Sequence, residues 1–497
     1  MSAIDTQATP VDYREQLIAG EWIAGRGGER ESVDPFRQET WAVISDADAA
    51  DVDRAIAGAR EAFRSWKRVT GYERAKLLFK FADLLEAEAD ELGRLETRDN
   101  GKIVRENQNQ IRFAVRNFRF FAGLADKFGG ETKQLDSYDT VDFTTREPRG
   151  VVVLIAPWNS PIQTLSNKLA PALAAGNAVI IKPSEHTSAS TLEEAKLLER
   201  AGFPPGVVSV VTGGPATGEA LTSHPGVDMI SFTGGVEGAR RIAANAARNV
   251  IPLTLELGGK GANIIFGDAN LDRAIPGAVS GIFAAAGQTC VAGSRLLVHD
   301  SVYDEVVEGV ARRAGAVKFG DPMDPATQVG PISNLEQHEH VVRMIEEARE
   351  DGAELVCGGK APDAFPDGWF VEPTIFGEVR PGTRLAQNEV FGPVLAVMRF
   401  STDEEAIELA NGTDYGLAAG LWSQDITRAH SVARELDTGT VWINTYRTSA
   451  AQAPFGGVKR SGYGRERGVE GLMEYLRVKN TMLDLSTEVR DPFILGT

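Results

Sequence analysis

The sequence predicts an α/β protein built on two sheets, and three observations carry that prediction. Short continuous apolar runs alternate with helical patterns from 150 to 249, beginning with VVVLIA at 151–156. The same alternation restarts at 263 and continues to 444. Ahead of both lies a polar, Tyr- and Thr-rich stretch, 132–149, alternating around 141–146, which suits either a protruding hairpin or edge strand or an ordinary surface loop. Continuous apolar strands flanked by helices mark a parallel sheet buried on both faces. The first unit therefore reads as a doubly wound, Rossmann-like sheet and the second as a further α/β unit.

The elements follow in order. Residues 1–20 read as a loose leader running into a strand, and IAGEWIAGRGG as a hairpin turning at Gly25, Gly27 and Gly28. Val52, Ile56, Ala59 and Phe63 recur at helical spacing, which predicts an amphipathic helix over 51–66 with Asp51 at its N-cap. Further helices are expected over 74–97 and 103–121. In the first α/β unit, strands at 151–156, 177–185, 207–214 and 227–235 alternate with helices at 162–175, 190–201, 218–223 and 239–249. In the second, the strand 263–266 and a helix over 271–286 lead to Cys290. Strands at 295–300, 369–376, 394–400, 418–423 and 440–444 follow, with helices at 302–317, 337–350, 404–410 and 427–436. From 472 the chain runs outward into a tail.

At 497 residues the chain is too long for one core, so two or three domains are expected. No run of eighteen apolar residues predicts a membrane span, and the start has no basic end followed by an apolar stretch. Two cysteines give no disulfide framework, which suits a reducing cytoplasm. A formal net charge of −18 argues against non-specific nucleic-acid binding. His338 and His340, two apart on a helix, point to different faces, so surface positions are expected and no metal site.

Four segments carry chemistry. Cys290 stands among small residues in GQTCVAG, a setting for a nucleophilic sulfur or for a buried core cysteine. The other cysteine, Cys357, sits between a strand end and a turn and reads as structural. Glu256 lies in LTLELGGK, where alternation puts it opposite Leu253, Leu255 and Leu257. It is either a general base or a carboxylate held by backbone. Asn159, in PWNSP, is an oxyanion donor or a turn residue. Gly234 and Gly235, in FTGGVEGA, close a strand and open a helix, as a pyrophosphate site requires, although no GxGxxG is present.

With NEVFGPV at 388–394 and PFGGVKRSGYGRE at 454–466, the order and spacing of these segments resemble the aldehyde dehydrogenase superfamily, in its NAD(P)-dependent, non-phosphorylating, non-acylating branch. The resemblance spans nearly the whole chain. It implies a cofactor domain from 1–128 and 150–256, an oligomerisation arm at 129–149 and a catalytic domain at 257–471. The segment 472–497 would join the arm in a homodimer or homotetramer.

The resemblance also implies site residues. Cys290 would be the nucleophile, Glu256 the base and Asn159 the oxyanion donor, with Lys168 and Glu466 a second pair in proton relay. Ala156, Trp158, Lys182, Glu185, Gly214, Phe232, Gly234, Gly235, Leu257, Glu389 and Phe391 would bind the cofactor. Glu185 would accept the adenosine ribose hydroxyls and repel a 2′-phosphate, which favours NAD, although some members use NADP as well. Gly235, Val236 and Ala239 stand where the family commonly has Ser, Thr and Gly. Ala285 stands for its usual Asn, and Asn388 for its usual Glu. The substrate tunnel would be lined by Ser160, Thr164, Asn167, Thr289 and Val291, and opposite them by Tyr446, Arg447, Ser449 and Phe455. This wall is polar, so the expected substrate is a polar or acidic small-molecule aldehyde. Arg447 is either its anion partner or solvent-facing. The rival readings are a coenzyme A-acylating dehydrogenase and a non-catalytic structural homologue.

Overall fold

A computed structural model describes residues 9–487 and residue 493. The ends of the expected leader and tail lie outside the described residues. The first sheet runs Val208–Val210, Ala178–Lys182, Val151–Ile155, Met229–Thr233, Leu253–Glu256, Gly462–Tyr463. Its first five strands are parallel and the last is antiparallel. Val151–Ile155 comes first in the chain, and successive strands add to one side of it and then to the other. The order therefore reverses between Val151–Ile155 and Met229–Thr233. In open α/β sheets the carboxyl ends of the strands at such a reversal form the binding crevice.

The second sheet runs Glu354–Cys357, Thr374–Gly377, Val394–Phe400, Arg295–His299, Ala262–Ile265, Ala418–Trp422, Thr440–Ile443. It is parallel except for its first strand. A third sheet is antiparallel and joins Thr132–Lys133, Thr140–Pro148 and Leu476–Asp484. The stretch read as an arm and the C-terminal segment thus pair with each other along nine residues each, from Leu476 on Pro148 to Asp484 on Thr140. Helices Gly71–Ala87, Val104–Leu124 and Pro161–Ala175 pack on the first sheet through Phe81, Phe118, Phe121, Leu165 and Leu169, all buried.

Several expectations are corrected. Asp48, not Asp51, caps helix Ala49–Trp66; Asp51 closes a capping box by accepting from the Asp48 N–H. The expected helix 74–97 is two helices, Gly71–Ala87 and Ala89–Asn100, broken at Glu88 (φ −96°, ψ 4°). The N-terminal hairpin, Glu15–Ile18 on Glu21–Ala24, turns at Ala19 and Gly20, both left-handed, instead of at the later glycines. The strand expected over 369–376 is only Thr374–Gly377. Two strands, Glu29–Asp34 and Glu39–Ser45, were not expected at all. The helix before the thiol stops at Phe283, because Ala285 and Ala286 adopt φ 55° and 51°. Asn tolerates that conformation better than Ala, which costs roughly 1–2 kcal/mol there, so the Ala at 285 falls on a strained turn.

Candidate active site

A cavity of about 420 Å³ opens at the strand-order reversal, between the two sheets. Asn159 reaches it from the end of Val151–Ile155, Gly234 and Gly235 from the end of Met229–Thr233, and Glu256 from the end of Leu253–Glu256. Cys290 reaches it from the loop after the left-handed turn. Gly287 completes that turn at φ 72°, and a Cβ there would stand 2.0 Å from the Gly392 carbonyl. The close approach leaves room for glycine alone, and the turn brings the thiol into the cavity with Asn159 and Glu256.

Cys290 is half-buried. Burial first, and then the charge of Glu256, push its thiol up to about 12, so without its reaction partners it is held as the thiol. This departs from the lowered pKa that a ready thiolate would need. Asn159 Nδ2 donates to the Gln288 carbonyl at 2.9 Å. An amide nitrogen carries two N–H bonds, so one remains for a ligand. Among the described residues the Cys290 N–H has no acceptor. The two donors flank the sulfur's loop, the arrangement an oxyanion requires.

Glu256 is buried, and neither carboxylate oxygen has a hydrogen-bond partner. Burial, with Glu466 second, raises its carboxyl well above the usual carboxylate range. The reading of Glu256 as a structural carboxylate tied to backbone therefore fails on its own geometry. A perturbed, unpartnered acid in a cleft beside a thiol is poised for proton transfer. Glu466 also borders the cavity and takes Lys168 Nζ at 2.5 Å and Asn167 Nδ2 at 3.0 Å. Lys168 itself is fully buried, does not line the cavity, and also donates to Ser231.

The cofactor side is equally specific. Gly235 is the N-cap of helix Val236–Asn249, with no side-chain cap and nothing within 4 Å of where its Cβ would lie. The first-turn N–H groups are thus open to an anion. Glu389 accepts from the Gly259 N–H at 2.9 Å, and burial raises its carboxyl to about 7. A Cβ on Gly258 would stand 1.9 Å from the same carboxylate. Trp158 and Phe391 meet edge to face at 5.3 Å. Leu257 also lines the cavity. Thr233 Oγ1 is buried beside the glycines without a partner. An open helix N-terminus, a glycine cradle and orphaned polar atoms fit a dinucleotide.

Ala156, Lys182, Glu185, Gly214 and Phe232 lie outside the cavity wall. Lys182 Nζ stands 3.8 Å from Glu185, and Ala156 donates to the Lys182 carbonyl. Gly214 caps helix Pro215–Ser223, and Phe232 packs beneath Gly234. Arg30, which the sequence did not suggest, approaches this end but is held by Asp46 at 2.7 Å.

On the substrate side the cavity touches Ser160, Thr164, Asn167, Thr289, Val291, Arg447, Ser449 and Phe455. Tyr446 is a correction. It is buried behind the thiol loop, donates to the Val291 carbonyl at 3.2 Å, and fits where Gly281, Gly293 and Gly420 have no side chain. Asn167 has both amide atoms engaged, with Glu466, Asn117 and Arg467. Arg447 is half-buried and donates to the Ser280 carbonyl at 3.2 Å. Ser160 accepts from Lys102 at 2.8 Å. His340, expected at the surface, borders the cavity, and burial lowers its pKa. Arg467, also missed, is buried in this wall.

The chain's known relatives share this plan. Residues 22–481 match the model of the aldehyde dehydrogenase family. The chain is 45% identical over 470 residues to a betaine aldehyde dehydrogenase of Bacillus subtilis, covering 93% of this chain and 96% of that one. It is 44% identical over 472 residues to (Z)-2-((N-methylformamido)methylene)-5-hydroxybutyrolactone dehydrogenase of Acinetobacter baylyi, covering 94% and 96%. Among solved structures, betaine aldehyde dehydrogenase of Staphylococcus aureus in complex with NAD+ superposes with a TM-score of 0.95 at 41% identity, covering 97% of each chain. The chain belongs to the aldehyde dehydrogenase family.

Proposed function

We propose that the protein oxidises a polar aldehyde to its carboxylic acid with NAD, through a covalent intermediate on Cys290. The observation that carries this reading is the meeting of Cys290, Asn159 and unpartnered Glu256 on one cavity beside the open helix at Gly235. The deprotonated Cys290 sulfur adds to the carbonyl carbon and forms a thiohemiacetal. Asn159 Nδ2 and the Cys290 N–H hold the resulting oxyanion. NAD, when bound, supplies the acceptor for the hydride lost as the thiohemiacetal becomes a thioester. Gly234, Gly235, Glu389 and Phe391 would hold it, with Lys182 and Glu185 at the adenosine end. Glu256 then takes a proton from the water that attacks the thioester, releasing acid and thiol. The buried Lys168–Glu466 pair fixes the charge beside Glu256 and offers a route for that proton.

A coenzyme A-acylating reaction is not supported, because Glu256 is present to activate water. Release of NADH with a panel of aldehydes, with and without coenzyme A, tests the assignment. Turnover that requires coenzyme A, or none with any aldehyde, would refute it. Betaine aldehyde is a second substrate reading, favoured by the relatives' names. Two arginines on the cavity oppose its fixed cation.

Further proposals concern assembly. We infer a division into a cofactor domain, 1–128 with 150–256, a catalytic domain, 257–471, and an arm at 129–149 joined by 472–497; Gly462–Tyr463 crosses from the catalytic range to edge the first sheet. The arm exposes Val141, Phe143 and Leu483 on one face and Val478 and Met482 on the other, apolar surface suited to a second copy in a homodimer or homotetramer. Sedimentation of a stable monomer at micromolar concentration would refute that. No helix among the described residues is long and apolar enough to cross a membrane; the cytoplasmic site of action we propose rests on the two-cysteine composition, which suits a reducing compartment.

A further inference from the structure

We propose that Arg467 is the anchor for a carboxylate on the substrate, so that the aldehyde oxidised here is an oxo acid with its acid group at the far end. The inference rests on the aldehyde dehydrogenase reading above and narrows its substrate class.

Arg467 is buried in the cavity wall, 8% exposed. Its guanidinium lies over the rings of Phe455 and Phe113, with centroids at 4.7 and 5.2 Å. Nε donates to Asn167 Oδ1 at 3.3 Å and Nη1 donates to Ser449 Oγ. A guanidinium has five N–H donors, so three have no protein acceptor among the described residues. It also has no ion-pair partner there. The adjacent carboxylate, Glu466, is committed to Lys168 and Asn167.

A buried cation without a counter-ion is costly. The backbone adds to the cost. Arg467 adopts φ 59°, ψ 177°, a region otherwise left to glycine, at roughly 1–3 kcal/mol. A chain that carries an unpaired charge on a strained backbone, inside the substrate cavity, retains both for a ligand. A carboxylate completes the arrangement: it takes two parallel N–H bonds from the planar fork and supplies the missing negative charge. The aromatic rings fix the guanidinium plane and keep water from its faces. Arg447 has a different position, half-exposed and tied to Ser280, so the anion partner expected at 447 moves to 467.

The test uses the full-length enzyme with saturating NAD. Three pairs of aldehydes are compared, 4-oxobutanoate, 5-oxopentanoate and 6-oxohexanoate, each against its terminal amide. A quaternary-ammonium aldehyde serves as the opposite charge. At the best chain length the acid should exceed its amide at least tenfold in kcat/KM, with the cationic aldehyde poorest. Arg467→Gly suits the backbone and leaves space between the rings. It should lower kcat/KM for the acid tenfold or more, mainly through KM, and that for the amide less than threefold. Millimolar guanidinium should restore part of the loss for the acid alone. Equal use of acid and amide by the unmodified enzyme at every length overturns the inference without touching the aldehyde dehydrogenase reading. So does an equal loss for both in Arg467→Gly, which marks a structural cross-link. If no aldehyde of any charge releases NADH from the unmodified enzyme, the parent reading fails and this inference falls with it.

Discussion

Replacing Gly258 by Ala should weaken NAD binding through Glu389. The residue's φ is one that any L-residue adopts, so the effect is steric and not conformational. The new Cβ would start 1.9 Å from Glu389 Oε2 and 2.6 Å from its Cδ, whereas an ordinary contact begins near 3.4 Å. The carboxylate must retreat by roughly 1.5 Å. That breaks the 2.9 Å bond from the Gly259 N–H, which holds the carboxylate against the cavity. A hydrogen bond to a charged group contributes about 1.5–3 kcal/mol. If that positioning serves the cofactor, the dissociation constant for NAD should rise roughly 10- to 150-fold. The assay is quenching of intrinsic fluorescence by NAD, titrated beside Glu389→Gln. The two variants should weaken binding alike, and combining them should add little, since both act on one carboxylate. Because burial raises the Glu389 carboxyl to about 7, affinity in the unmodified protein should also improve as pH rises through 7. Unchanged affinity in Gly258→Ala, or full additivity in the double variant, would refute the reasoning.

Other outcomes follow from the same geometry. Asn159→Ala removes one of two oxyanion donors and should lower kcat about 10²–10³-fold with little change in NAD affinity; a loss under threefold in a kcat measurement would contradict it. Glu256→Gln should suppress steady-state turnover by about 10²–10⁴-fold, while a single-turnover burst of NADH survives in rapid-mixing experiments. Loss of the burst along with turnover would move Glu256 to the first half-reaction. Alkylation of Cys290 by iodoacetamide in the NAD-free protein should accelerate steadily with pH and not level off near neutrality, since its thiol is raised to about 12; a plateau near pH 7 would show a thiolate already formed. Cys357→Ala should leave kcat/KM unchanged, because that sulfur lies at the end of strand Glu354–Cys357, away from the cavity.

What could be read from sequence was whatever the local pattern states twice. The strands Val151–Ile155 and Ala178–Lys182 are apolar at nearly every position and buried on both faces, so composition and period agree. Glu256 stood out because a carboxylate interrupts the apolar alternation of LTLELGG, whereas Cys290 and Asn159 each left two readings open and were assigned by the order and spacing of the motifs. The strand Glu29–Asp34 was invisible because ERESVD is polar and only its far end is buried. The break at Glu88 was invisible because AEADEL is built of helix formers, with no glycine or proline to mark it. Tyr446 was misplaced by its adjacency to Arg447. The left-handed backbone at 447 sends the two side chains to different environments, one into the core and one to the cavity. Arg467 and His340 could not be found by motif at all. Their significance comes from elements far apart in the chain, and Arg467 turns inward only through a backbone conformation that its residue type does not advertise.

The short strand Gly462–Tyr463, which seals the edge of the first sheet by pairing with Glu256 and Leu255, has a consequence for the birth of the molecule. During synthesis, Leu253–Glu256 leaves the ribosome some 200 residues before its neighbour. At about 5–20 residues per second, that edge waits roughly 10–40 s as an open template for the wrong strand. The same late segment carries Phe455, Glu466 and Arg467. The nascent chain therefore holds its thiol, its base and an unfinished sheet together, without the residues that close the cavity, until this late segment emerges. The interval in which the open edge most needs protection is therefore the synthesis of residues 257–462.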